Sequence, residues 1–209
     1  MTAATHLFWI TSRAAGGAAL LLSSASVALG LLMSSRRRSV NKRDLRAVHE
    51  ALSLTTLAMV ALHGLALLGD SYLNPGLSGI AIPFAGAYRP LWTGLGIVAG
   101  YGLGILGLSY YLRDRIGVGR WRRLHRLTAG FWALAIVHTI GAGSDAAQPW
   151  FLLISGVMVV PALTLALIRW GARLAGSAAE RDGRDDRPGQ GDPGEQRRPQ
   201  QREAPAGAR

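Results

Sequence analysis

Cysteine is absent from this 209-residue chain. Iron–sulfur clusters, thiolate zinc sites, disulfides and covalent attachment of a c-type haem therefore have no side chain to form on. Acidic residues are scarce, with 12 Asp and Glu against 23 Lys and Arg, and no glycine-rich dinucleotide fingerprint follows a strand pattern. Histidine is the remaining soft nitrogen ligand, and the chain has five.

Apolar residues make up 49% of the chain and gather into long blocks. Crossing a hydrocarbon layer of about 30 Å takes about 20 residues of helix. The first block resembles a signal peptide in position, but its charges follow the apolar stretch instead of preceding it. The sequence therefore predicts an all-α polytopic membrane bundle of five transmembrane helices, at Leu7–Met33, Ala47–Gly69, Leu91–Leu112, Leu124–Gly141 and Trp150–Ile168.

The basic residues predict the orientation of these helices. Short cytoplasmic loops carry an excess of Lys and Arg, and the net charge of +11 is concentrated at the ends of the predicted helices. This rule accounts for the positive charge, so we expect contact with membrane lipid and no nucleic-acid partner. We expect the N-terminus outside, the C-terminus in the cytoplasm and a multi-pass protein of the plasma membrane. The basic residues of the two inner connections are Arg36, Arg37, Arg38, Lys42, Arg43 and Arg46, then Arg113, Arg115, Arg120, Arg122 and Arg123.

The chain changes composition near residue 171. Glycine, proline, glutamine and charges of both signs dominate from there to residue 209, with almost no large apolar residue to bury. Such composition is typical of disorder. We expect a membrane domain over residues 1–170 and a disordered cytoplasmic tail over residues 171–209.

Four histidines fall in two pairs within the apolar blocks. His49 and His63 lie almost four helical turns apart, and the interval from His125 to His138 is one residue shorter. Both predicted helices run from inside to outside, so His49 and His125 share an inner level, and His63 and His138 an outer one. Two imidazoles on facing helices suit the two axial positions of a six-coordinate haem iron.

The second spacing does not fit an ideal helix. At about 100° per residue, a step of about 14 residues returns to within about 40° of the starting face, whereas a step of about 13 leaves two side chains about 140° apart. We therefore predict a local departure from regular helix near Gly130, because both His125 and His138 must face one partner. On the preceding predicted helix, Gly96, Gly100 and Gly104 place small residues on one face, which we interpret as a surface for close helix packing.

Two other classes of function are compatible with buried histidines. One is a transporter or proton-conducting protein without haem, and the other is a structural membrane protein without a cofactor. Against proton relay, Glu50 is the only carboxylate well placed within the spans. The aromatic residues Phe131, Trp132 and Trp92 are interpreted as packing residues.

Three segments of the sequence also carry a family resemblance. Leu45–Asp70, Trp121–Asp145 and the pattern Trp9-x-x-x-Arg13-x-x-Gly16 resemble the ferric reductase-like transmembrane domain. This domain is shared by ferric reductases, NADPH oxidases and the haem subunit of the periplasmic methionine sulfoxide reductase system. The resemblance covers residues 7–170.

The resemblance implies two b-type haems in an electron-transfer protein, one held by His49 and His125 and the other by His63 and His138. It also implies that Arg13 pairs with a propionate of the outer haem, although a snorkelling arginine at a helix end needs no such partner. Unlike the oxidases, this sequence does not continue into flavin and nicotinamide domains, so no intrinsic FAD or NAD(P)H site is expected. The expected donor is a separate flavoprotein or quinol, and the extracytoplasmic acceptor is a ferric chelate, oxygen or a redox protein.

Overall fold

The computed structural model describes residues 3–34 and 42–185. Within those ranges every regular element is helical and none is a strand. Arg36, Arg37 and Arg38 of the first connection lie outside the described residues. The helices are α1 (Ala3–Met33), α2 (Lys42–Leu67), α3 (Gly76–Ala81), α4 (Pro90–Leu108), α5 (Arg113–Ile116), α6 (Val118–His125), α7 (Thr128–Ala142) and α8 (Pro149–Asp185), with a 3-10 turn at Ser109–Leu112 between α4 and α5.

In the described part of the chain, four helical stretches are long and apolar enough to cross a membrane. They begin in α1, α2, α4 and α8, as the sequence predicts. The remaining predicted span, Leu124–Gly141, is divided between α6 and α7. Helix α7 alone has 15 residues and a length of about 22 Å, which is less than the thickness of a typical hydrocarbon core. A bundle of five continuous spans is therefore not confirmed.

A tight turn at Arg126 and Leu127 separates α6 from α7. The amide of Leu127 donates to the Leu124 carbonyl, and that of Gly130 to the Leu127 carbonyl, both at 2.9 Å and both across three residues instead of four. The Thr128 hydroxyl occupies the His125 carbonyl at 2.7 Å, which competes with the backbone pattern of a regular helix. The predicted departure from regular helix is thus confirmed, a few residues before Gly130.

The tight turn also rotates the chain in the direction that the histidine spacing requires. A three-residue turn advances about 120° per residue, against about 100° in an α-helix. Each residue in that geometry recovers about 20° of the shortfall of about 140° between the two histidine positions.

The bundle consists of two helix pairs. Helix α1 packs along α2, and α4 packs along α7, whereas α1 touches α7 and α2 touches α4 much less. Trp132 of α7 is the largest fully buried side chain in the described region and joins the pairs, since its indole N–H donates to the Ser24 hydroxyl of α1 at 3.0 Å. Its predicted packing role agrees with this position.

The last helix extends beyond the predicted membrane domain. A tail is expected from residue 171, but α8 continues to Asp185. Alanine, arginine and leucine are strong helix formers, and they dominate residues 172–175. Residues 186–209 of the expected tail lie outside the described residues. The chain divides into two units, Met1–Leu167 and Ile168–Arg209.

Candidate metal centres

Both histidines of α2 face α1. The Nδ1 atom of His63 lies 2.8 Å from the carbonyl oxygen of Ser12, and that of His49 lies 3.0 Å from the carbonyl oxygen of Ser26. The two accepting serines are separated on α1 by the same interval as the two histidines on α2. One face of α1 therefore holds both rings in the same way at two depths.

Both histidines of the α6–α7 segment face α4. The Nδ1 atom of His138 lies 2.9 Å from the Trp92 carbonyl oxygen, and that of His125 lies 3.4 Å from the Leu106 carbonyl oxygen. The interval from Trp92 to Leu106 equals that between the two accepting serines of α1, so these acceptors also lie on one helix face. The two rings reach that face although their own interval in the chain is one residue shorter, because the tight turn rotates one towards the other.

The four rings meet in two facing pairs across the gap between the helix pairs. The ring centroids of His49 and His125 are 6.2 Å apart with an angle of 85° between the ring planes. Those of His63 and His138 are 6.3 Å apart at 70°. The structure thus brings the histidines together in the combination that the sequence predicts, with one ring from each helix pair at each level.

The separation of the rings suits a metal ion between them. An imidazole nitrogen binds a transition-metal ion at about 2 Å and the ring centre lies about 1 Å further back, so two imidazoles on opposite sides of one ion have centroids about 6 Å apart. A carbonyl oxygen at Nδ1 requires that nitrogen to donate its proton, which leaves the lone pair on Nε2. Both observations fit axial ligands of a haem iron.

Three of the four rings pack against a glycine that sequence reasoning did not assign to the site. A Cβ atom at Gly16 would lie 3.0 Å from Nδ1 of His63, one at Gly30 would lie 3.2 Å from Cε1 of His49, and one at Gly96 would lie 2.6 Å from Cγ of His138. Each glycine follows the residue of the accepting carbonyl by four positions. The missing side chain is what lets the ring reach that carbonyl.

A sequence signal for these glycines exists. The pattern Ser-x-x-x-Gly occurs at residues 12–16 and again at 26–30, and it repeats with the same period as the histidines of α2. The glycine of α4 was instead interpreted as a packing residue within its glycine run. Its contact with His138 corrects that interpretation for Gly96.

Arg13 pairs with a protein carboxylate in this structure. Its guanidinium donates to both carboxylate oxygens of Asp145, with a distance of 2.9 Å from Nε to Oδ2, and lies 4.0 Å above the Trp9 ring. The preceding residue, Ser12, supplies the carbonyl that accepts from His63. Arg13 is therefore next to the outer histidine pair, and its partner Asp145 was missed by sequence reasoning.

The fold and the site define a class, namely helical membrane proteins with two histidine pairs facing each other between helices. A family model described as "Ferric reductase like transmembrane component" matches residues 15–136, more than half of the chain, and the chain belongs to this family. The matched region includes His49, His63 and His125 and ends two residues before His138. No curated protein and no solved structure matches the sequence. Membership indicates a membrane protein with a role in electron transfer, in a family whose transmembrane domains typically bind haem.

Proposed function

We propose that this chain is a di-haem b protein that carries electrons across the plasma membrane. His49 and His125 would hold the iron of an inner haem, and His63 and His138 that of an outer haem. The observation that carries the proposal is the pair of facing imidazole separations, 6.2 and 6.3 Å, which are nearly equal at the two levels and match the span of two imidazoles on one metal ion.

The number of protein ligands favours haem over a free metal ion. Within the described residues no group of three or more His, Cys, Asp or Glu side chains could hold a metal ion. A zinc site normally takes three or four protein ligands, whereas each level here offers two. A haem iron needs only the two axial ligands from the protein, because the macrocycle supplies the others.

The protein's part is to hold and orient the imidazoles. A haem iron with both axial positions filled by imidazole supplies one-electron transfer instead of oxygen binding at the metal. At His49, His63 and His138 the backbone carbonyls at Nδ1 fix the tautomer and the ring plane and increase the basicity of the coordinating nitrogen. The accepting carbonyls belong to α1 and α4, whereas the histidine ligands belong to α2, α6 and α7.

The charge distribution supports placing the level of His49 and His125 at the cytoplasmic face. The basic residues of α5 and α6 lie at the end of the bundle that holds His125, and those of early α2 lie near His49. The positive-inside rule assigns this end to the cytoplasm. The donor would be a separate flavoprotein or quinol at that face. The acceptor would be an extracytoplasmic ferric chelate, oxygen or redox protein.

Arg13 is proposed as a residue of the outer haem site. A guanidinium next to the carbonyl that orients His63 is suited to a haem propionate, which is a carboxylate like its present partner Asp145. The ion pair with Asp145 would keep the guanidinium at the outer end of α1. The ion pair with Asp145 uses two of the five guanidinium N–H groups, and the other N–H groups would be the ones that bind a propionate.

Visible spectroscopy on the full chain tests the proposal. Protein purified from haem-replete cells is expected to show a reduced b-type spectrum and two haems per chain. His63→Ala or His138→Ala should remove the outer haem and leave the inner one, and His125→Ala should do the reverse. The control is His6→Ala, since His6 stacks on Trp9 instead of on another histidine. A colourless wild-type protein would exclude the proposal and leave the transporter or proton-conducting protein and the structural membrane protein, and equal loss of both haems in His63→Ala would exclude the pairing.

A further inference from the structure

His125 is held differently from the other three histidines. Their Nδ1 atoms lie 2.8, 3.0 and 2.9 Å from a carbonyl oxygen, and a glycine follows four positions after each of these carbonyls. For His125 the distance to the Leu106 carbonyl is 3.4 Å, and the residue four positions after Leu106 is Tyr110. The backbone hydrogen bond that orients the other rings is thus weak at this one.

The Leu106 carbonyl already has a closer donor. The Ser109 hydroxyl donates to it at 2.7 Å, and the Ser109 oxygen in turn accepts from the indole N–H of Trp121 at 3.2 Å. A carbonyl bonded to a hydroxyl at this distance has less capacity for a second donor. Ser109 therefore both weakens the backbone bond of His125 and anchors Trp121.

Trp121 contacts the His125 ring directly. The two ring centroids are 4.9 Å apart and the ring planes differ by 26°, which is a stacked arrangement one helical turn apart on α6. Tyr110 also packs on the indole, with a centroid distance of 5.8 Å, and the Arg113 guanidinium lies 4.2 Å above the Tyr110 ring. No other candidate ligand has an aromatic ring stacked on it within the described region.

We propose that Trp121, anchored by Ser109, is the positioning residue that orients His125 as an axial ligand of the inner haem. The proposal rests on the proposed function, because it assumes a haem between His49 and His125. Stacking fixes the plane of the imidazole without making its coordinating nitrogen more basic, as a strong Nδ1 hydrogen bond does. The inner haem would therefore have a less electron-rich ligand on its α6 side and a higher reduction potential than a carbonyl-held ligand would give.

The test compares Trp121→Ala, Trp121→Phe and Ser109→Ala in the full-length protein, with haem content, redox titration and the low-spin electron paramagnetic resonance spectrum as readouts. His125→Ala and His138→Ala identify which signal belongs to each haem. Trp121→Ala is expected to lower the occupancy of the inner haem and to shift or broaden its low-spin signal, and to leave the outer haem unchanged. Trp121→Phe keeps a stacking ring and should restore both properties, and Ser109→Ala should produce a smaller shift in the same haem.

The matched control is Trp150→Ala, which removes an indole that is 54% exposed on α8 and contacts Phe151. Unchanged signals of both haems in Trp121→Ala, combined with loss of the inner haem in His125→Ala, would overturn the role of Trp121 and leave the proposed function intact. If Trp121→Ala does not fold, a Trp121→Phe protein that loses the inner haem as fully as His125→Ala also overturns the proposal. Retention of both haems in His125→Ala would instead refute the proposed function itself.

Discussion

The glycines beside the histidine rings allow a graded test of the site. Alanine at Gly96 would place a methyl group 2.6 Å from a ring carbon of His138, whereas alanine at Gly16 or Gly30 would place it 3.0 or 3.2 Å from the nearest atom of His63 or His49. Carbon atoms in ordinary contact lie about 3.5–4.0 Å apart. The ring of His138 must therefore move by about 1 Å, and the other two rings by a few tenths of an ångström.

The displacement of His138 is about half the length of a metal–nitrogen bond of about 2 Å, and those of the other two rings are a smaller fraction of it. They also stretch the Nδ1 hydrogen bonds, whose loss costs about 0.5–1.5 kcal/mol each. Elsewhere in a helix the same substitution stabilises by about 1 kcal/mol. Gly104 provides this baseline on the same helix as Gly96, because a Cβ atom there would have nothing within 4 Å.

We expect haem loss in the order Gly96→Ala, Gly16→Ala, Gly30→Ala, with Gly104→Ala like wild type or more heat-stable. The first two should affect the outer haem and Gly30→Ala the inner one. The assay is haem per chain, with the affected level identified by difference spectra after a temperature ramp. Equal haem content in Gly96→Ala and Gly104→Ala would refute the reasoning, as would loss of the inner haem in Gly16→Ala.

Two further predictions concern stability. Arg13→Gln and Asp145→Asn should each lower the free energy of unfolding by about 1 kcal/mol, because each breaks a bidentate, partly exposed ion pair; thermal denaturation of a double-mutant cycle checks this, and fully additive single effects would contradict it. Ser24→Ala leaves the indole N–H of buried Trp132 without its hydroxyl partner and should cost about 1–3 kcal/mol, whereas the double variant with Trp132→Phe should cost less than the sum of the two single changes.

Hydropathy and charge predicted most of the architecture because both signals are local. The four continuous spans follow from runs of apolar residues. The pairing of each histidine of α2 with one of the α6–α7 segment follows from the loop charges, which predict that these two segments run parallel. The glycines beside the rings were harder to predict. Gly16 matters because α1 is antiparallel to α2 in one particular register, and that register is a property of packing.

Two other features depend on contacts that no sequence window contains. Arg13 and Asp145 are 132 residues apart, and nothing in the local sequence of either indicates the other. The turn between α6 and α7 was predicted from the spacing of His125 and His138, but its position depends on how the Thr128 hydroxyl competes for a backbone carbonyl. The far end of α8 was misplaced because the average composition of residues 171–209 conceals the helix propensity of the first few.

The turn between α6 and α7 also affects the heights at which His125 and His138 lie along the bundle. A step of about 14 residues of regular helix rises about 21 Å, and a step of about 13 rises about 19.5 Å, so a straight helix would leave one histidine about 1.5 Å too low. A 3-10 turn rises about 2.0 Å per residue instead of about 1.5 Å, so the two residues of this turn, Arg126 and Leu127, recover about 1 Å of that difference. The turn therefore brings the height difference between His125 and His138 closer to that between His49 and His63. One short turn thus compensates for most of the residue that separates the spacing of His125 and His138 from that of His49 and His63.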